Sequence, residues 1–85
     1  MAELHENKLK RLIMQSNRRG MKENDIILGN FARKNIGRLN FDELNAYEKL
    51  LTENDQDIYL WISGGKSIPS QFEKIISKIV STLRM

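Results

Sequence analysis

The chain has 85 residues, with 14 Lys or Arg against 11 Asp or Glu, a single His, no Cys and a formal net charge of +3. That length makes one domain, 1–85, burying only about 60–65% of the surface its unfolded form exposes, and the missing cysteine excludes disulfide staples and thiolate metal sites. No apolar run reaches the roughly 18 residues that span a bilayer, so no membrane insertion is expected.

From Glu3 to Gln15, Leu9, Leu12 and Ile13 follow helical spacing, with Leu4 one longer step earlier, which predicts a first helix. His5 is read as solvated, because no second His or Cys exists to complete a metal set. The stretch Arg18, Arg19, Gly20, Met21, Lys22, Glu23, Asn24, Asp25 is then a charged helix-to-helix corner, and two readings share its residues. In one, Asn17 or Gly20 stops the first helix in a left-handed cap, and Glu23 and Asp25 complement the positive end of the next. In the other, Arg19 and Glu23, four apart, are neighbours across the first turn. Gly20 then leaves backbone open to a partner, and Lys22 and Asn24 add polarity to the exposed face.

A second helix is predicted from about Met21 to Lys34, with Ile27, Leu28, Phe31 and Ala32 on one stripe that Ile26 widens. Gly29 lies inside that stripe at a cost of about 1 kcal/mol relative to Ala, which implies close helix contact or local weakness. Asn40, followed by Asp42 and Glu43, predicts the cap of a third helix from Phe41 to about Thr52. Phe41, Leu44, Tyr47, Leu50 and Leu51 face its core side and Glu48 and Lys49 water. Asn54 and Asp55 open a short fourth helix with Ile58, Trp61 and Ile62 as its apolar face, ended by Gly64 and Gly65, and the Trp61 ring nitrogen is expected to find an acceptor. Pro69 introduces the last helix, where Ser70 and Glu73 have capping-box spacing and Phe72, Ile75, Ile76, Ile79, Val80 and Leu83 form a sustained stripe. No period-two pattern competes, so the expected fold is all-α, a compact bundle of about five short helices.

Charge is uneven: residues 1–40 carry a net +5 and residues 41–85 a net −2. A basic half steers encounter with acidic surfaces, but its cations are interspersed with acids and no aromatic ladder accompanies them, so no nucleic acid is expected as partner. The chain offers no constellation of acid, base, nucleophile or metal ligands: catalytic residues none, metal none. Gly64, Gly65, Lys66 and Ser67 lack the upstream glycine and strand of a phosphate loop. Met1–Lys10 has neither the apolar core of a secretory signal nor, with Glu3 and Glu6, the composition of a transit peptide. The expected setting is a bacterial cytoplasm, or a mitochondrial matrix for a processed organellar protein.

Arg11, Leu12, Ile13, Ser16, Arg19, Gly20, Met21, Glu23 and Asp25 together resemble the signature segment of the succinate dehydrogenase assembly factor family. The family's pattern of Arg, Gly, two variable residues and Glu falls on Arg19, Gly20 and Glu23. Tyr47, Leu50, Leu51, Asp55, Asp57, Ile58, Tyr59, Trp61 and Pro69 are similar to its later segments in order and spacing. The resemblance implies a non-catalytic factor that binds the flavoprotein subunit of succinate dehydrogenase, or of fumarate reductase, and promotes covalent attachment of FAD to it. It also implies no stably bound cofactor and a monomer when free. The implied partner-binding residues are Arg18, Arg19, Gly20, Met21, Glu23 and Asp25: Arg19 and Glu23 as directional polar contacts, Gly20 for close approach, Met21 as an adaptable apolar contact. The alternative reading is a small helical interaction protein, antitoxin-like or nucleic-acid-binding, with a different partner.

Overall fold

The computed structural model describes residues 3–83. Across them run α1 (His5–Ser16), α2 (Lys22–Asn35), a 3-10 turn (Ile36–Arg38), α3 (Phe41–Leu50), α4 (Asp55–Ser63), a second 3-10 turn (Ser70–Phe72) and α5 (Glu73–Leu83), with no strand among the described residues. No described helix is long and apolar enough to cross a membrane.

The polar residues between helices set where these elements begin and end. Asn40 accepts the Glu43 amide at 2.8 Å while the Glu43 carboxylate accepts the Asn40 amide at 2.9 Å, a complete capping box. Asn54 caps α4 by accepting the Gln56 amide at 2.8 Å. Gly64, at φ 86°, ends α4 in the left-handed region, where a Cβ is costly. The expected capping box of α5 does not form, because Ser70 lies inside a 3-10 turn that follows Pro69 and the Phe72 amide closes on the Pro69 carbonyl at 2.9 Å. That tighter turn puts the Phe72 ring into the core.

Leu12, Leu28, Phe31, Tyr47, Leu50, Ile58, Trp61, Phe72, Ile75, Ile76 and Ile79 form one buried cluster drawn from all five helices. Two aromatic pairs lie within it, Phe31 with Tyr47 and Trp61 with Phe72, each with ring centroids 5.5 Å apart. The Trp61 indole N–H is buried and meets no acceptor among the described residues, contrary to expectation.

Phe41 also departs from its expected place and is 77% exposed. It is the first residue of α3, and a helical side chain leans toward its helix N-terminus, which here carries the ring past the end of the bundle. Leu4 precedes α1, Ile26 falls on the outer side of α2 and Leu83 ends α5, and all three are exposed. Glu48, expected to stay wet, is half-buried and accepts from Arg11 at 2.5 Å and pairs with Lys8 at 3.3 Å. Gly29 marks close contact: it is buried, and a Cβ there would fall on the Asn17 carboxamide at the end of α1.

Candidate functional site

Between α1 and α2 the chain turns through residues 17–21 without any left-handed residue: Asn17 does end α1 as its C-cap, but at φ −95°, so the left-handed cap expected at Asn17 or Gly20 does not form. Instead the Asn17 amide points at the Ile13 and Met14 carbonyls and the Arg18 amide at the Gln15 carbonyl, 3.1–3.3 Å away. Because α2 starts only at Lys22, Arg19 is outside it and does not sit beside Glu23. Its side chain turns inward to the connection between α3 and α4.

There the Arg19 guanidinium, 9% exposed, donates through Nε to Asp55 Oδ1 at 2.7 Å, through Nη1 to the Leu51 carbonyl at 2.9 Å and through Nη2 to the Glu53 carbonyl at 3.5 Å. The Leu51 carbonyl is at the C-cap of α3, where partial negative charge favours a cation, and the Glu53 carbonyl belongs to the connection that follows. Asp55 is the first residue of α4, where the helix end favours an anion. One ion pair therefore complements two helix ends and ties the first corner to the second. The Gly20 backbone amide donates to Asp55 Oδ2 at 2.8 Å, and the Asn24 side-chain Nδ2 donates to the Asp55 carbonyl at 2.7 Å and to Oδ1 at 3.2 Å. The Arg19 backbone amide donates to the Asp25 carboxylate, which ties the turn to the start of α2, a helix whose N-cap residue Met21 offers no side-chain acceptor.

Burial alone disfavours the charged form of Asp55. The Gly20 amide, the Arg19 guanidinium and the Asn24 carboxamide more than offset this and hold its carboxyl below the ordinary value. Beneath the corner, the Ser16 hydroxyl donates to the Leu12 carbonyl at 2.7 Å, which leaves its oxygen to accept from Tyr47 Oη at 2.6 Å. Burial pushes the Tyr47 hydroxyl up to about 12, against the opposing effects of its bond to Ser16 and the nearby Arg19 charge.

The six residues singled out from the sequence thus divide. Arg19 faces inward, Met21 and Asp25 are half-buried, and Arg18, Gly20 and Glu23 are exposed. The Arg18 and Glu23 side chains make no hydrogen bond or ion pair with other described residues. Arg18 borders an open depression of about 440 Å³ lined also by Arg11, Met14, Gln15, Arg19, Leu51 and Thr52. Asn24, expected on the exposed face, is fully buried, and its Oδ1 has no partner among the described residues. Sequence reasoning missed Asp55 and Asn24 as members of this site. The available signal was an acid at the start of a helix beside a connection, which by itself reads as a favourable helix end.

Among the described residues no group of three or more His, Asp or Glu is arranged to hold a metal ion. What the corner presents is a stiffened turn with two exposed cations, Arg18 and Lys22, and one exposed anion, Glu23, none of them paired with another described residue, an arrangement suited to recognition by another macromolecule.

A family model described as the flavinator of succinate dehydrogenase matches residues 10–83. The chain is 44% identical over 71 residues to a Dictyostelium discoideum protein named succinate dehydrogenase assembly factor 2, mitochondrial, with 84% of this chain and 50% of that protein covered. Proteins of the same name from Drosophila grimshawi and Caenorhabditis briggsae are each 42% identical, over 72 and 66 residues, with 82% and 75% of this chain and 49% and 54% of theirs covered. The chain spans about half the length of these curated relatives.

Proposed function

The chain belongs to the family of flavinators of succinate dehydrogenase, and from that premise we propose that it binds the flavoprotein subunit of succinate dehydrogenase, or of fumarate reductase, and promotes covalent attachment of FAD. The corner at residues 18–25 is the contact. The observation that carries this reading is its construction: Arg19, Asp25 and the Gly20 and Asn24 amides are engaged within the fold, while Arg18 and Glu23 stand outside it unpaired. A surface meant only to close a turn would have no use for so firm a frame around the exposed charges of Arg18, Lys22 and Glu23.

In this reading the reacting atoms belong to the flavoprotein and its FAD, and the chain acts by binding energy. It holds its partner in an arrangement where the flavin and the accepting side chain are aligned, and alignment is worth up to about 7–11 kcal/mol of barrier in favourable cases. Arg18 and Glu23 give the contact direction, and Met21, half-buried at the rim, gives an adaptable apolar surface.

The test is co-expression with the flavoprotein subunit, scored by in-gel flavin fluorescence. Covalent flavin is expected to rise with the wild-type chain and to fall with Arg18→Ala or Glu23→Ala at unchanged helicity. Equal fluorescence with and without the chain refutes the function, and full activity of both variants refutes the site.

A further inference from the structure

Resting on the reading that the corner is the partner contact, we propose that Asp55 is its positioning residue. A carboxylate on α4 holds the α1–α2 turn in the shape that the flavoprotein recognises, without touching the flavoprotein itself. Three donors converge on this one side chain, two from the turn and one from the first turn of α2: Arg19 Nε at 2.7 Å, the Gly20 amide at 2.8 Å and Asn24 Nδ2 at 3.2 Å. Asp55 is only 22% exposed, so water does not freely replace these partners. The residue is in turn fixed to the core, since α4 continues into buried Ile58, Trp61 and Ile62.

Gly20 gives the second, independent observation. Its φ is not positive, so the turn does not need glycine for backbone shape. A Cβ on Gly20 would lie 3.1 Å from Asp55 Oδ2, so what the glycine permits is close approach to this carboxylate. With the Arg19 and Gly20 donors both turned toward α4, Arg18, Lys22 and Glu23 are the exposed charges left to meet a partner, and the placement of Arg18 in the turn relative to Lys22 and Glu23 on α2 depends on the Asp55 anchor.

A turn released from that anchor must be ordered on binding. The effect therefore falls on affinity and leaves the rate within the complex unchanged. Purified flavoprotein subunit with free FAD is titrated with wild-type chain, Asp55→Asn, and Ile79→Val as a core variant remote from the corner. Asp55→Asn is expected to raise the half-saturating concentration about tenfold, the factor that freeing one backbone residue represents, at an unchanged plateau rate. Ile79→Val should leave half-saturation unchanged at temperatures where it is folded.

If both variants lose activity only in proportion to their fall in melting temperature, Asp55 is structural and the proposal is overturned. Amide exchange in the wild-type chain gives a test that no unfolded variant can spoil. The Gly20 amide should exchange about tenfold or more slowly than that of exposed Ser67, and equal exchange overturns the anchor. Arg18→Ala and Glu23→Ala separate the two levels. If these weaken binding while Asp55→Asn does not, the contact stands and the positioning role fails; if they do nothing, the contact reading itself fails.

Discussion

Arg19→Ala separates a brace from a contact. The guanidinium makes two short bonds, to Asp55 at 2.7 Å and to the Leu51 carbonyl at 2.9 Å, while the third, to the Glu53 carbonyl at 3.5 Å, is at the limit of usefulness. A hydrogen bond to a charged group contributes about 1.5–3 kcal/mol, and breaking a buried ion pair costs about 3–5 kcal/mol when the remaining charge is stranded. Asp55 is not stranded, because it keeps the Gly20 and Asn24 donors and partial access to water. The expected loss is therefore about 2–3 kcal/mol, which in a domain of this size lowers the melting temperature by roughly 10–20 °C. Glu23 is exposed and unpaired, so Glu23→Ala should change stability by less than about 0.5 kcal/mol. Circular-dichroism melts and urea titrations of both variants, run beside flavin attachment, give the comparison. Arg19→Lys should recover only part of the loss, since a single ammonium cannot serve both the Asp55 and the Leu51 acceptors. The reasoning is refuted if Arg19→Ala melts within a few degrees of wild type yet loses partner function, because Arg19 would then be a contact.

Gly29→Ala gains about 1 kcal/mol of helix propensity but must push aside the Asn17 carboxamide, which accepts from Arg33 at 2.8 Å. The gain should appear in full only in an Asn17→Ala background, as a double-mutant cycle in urea would show. Ser16→Ala leaves the Tyr47 hydroxyl with only the Leu28 carbonyl at 3.4 Å and should cost about 1–3 kcal/mol. Adding Tyr47→Phe to it should recover part of that, and strict additivity would refute the bond. The carboxyls of Asp55, Glu48 and Glu43 are held low, Glu48 chiefly by Arg11 and Glu43 chiefly by Lys78. Their folded values lie below their unfolded ones, so their stabilisation is complete above the ordinary carboxyl range and is lost as pH falls through the depressed values. The urea midpoint should accordingly fall on acidification below about pH 4, and less steeply in Asp55→Asn.

Helix positions were legible because they depend on local patterns: Asn40 with Glu43, Asn54, and Gly64 each act within a few residues of themselves. The all-α class and the burial of Leu28, Phe31, Tyr47 and Ile75 follow from periodicity in the same way. Errors gathered where a pattern runs past the end of an element. Phe41 continues the α3 stripe in sequence, but the core stops one turn earlier in space. The corner was legible as a place and not as a mechanism. Arg19 and Glu23 have helical spacing, and only the late start of α2 breaks it. Arg19 meets an acid 36 residues away, and no local rule points to a partner at that separation.

The Arg, Gly, two variable residues, Glu pattern therefore straddles two tasks. Arg19 and the Gly20 amide point into the fold, and Glu23 points out of it, within five consecutive residues. The two glycines show why a substitution here needs its neighbour named. At Gly29 the side chain in the way belongs to exposed Asn17, whose displacement gives up surface bonds to Arg33 and the Ile13 carbonyl that water can replace. At Gly20 it is Asp55, and moving it by a few tenths of an ångström stretches its bonds to Arg19 and Asn24 together. A domain of this length holds only about 4–13 kcal/mol of net stability, so an anchor worth 2–3 kcal/mol is a large share of the whole. Loss of function at Arg19 or Gly20 is consequently a statement about folding until a melt shows otherwise, whereas the same loss at Arg18 or Glu23 reports on the partner directly.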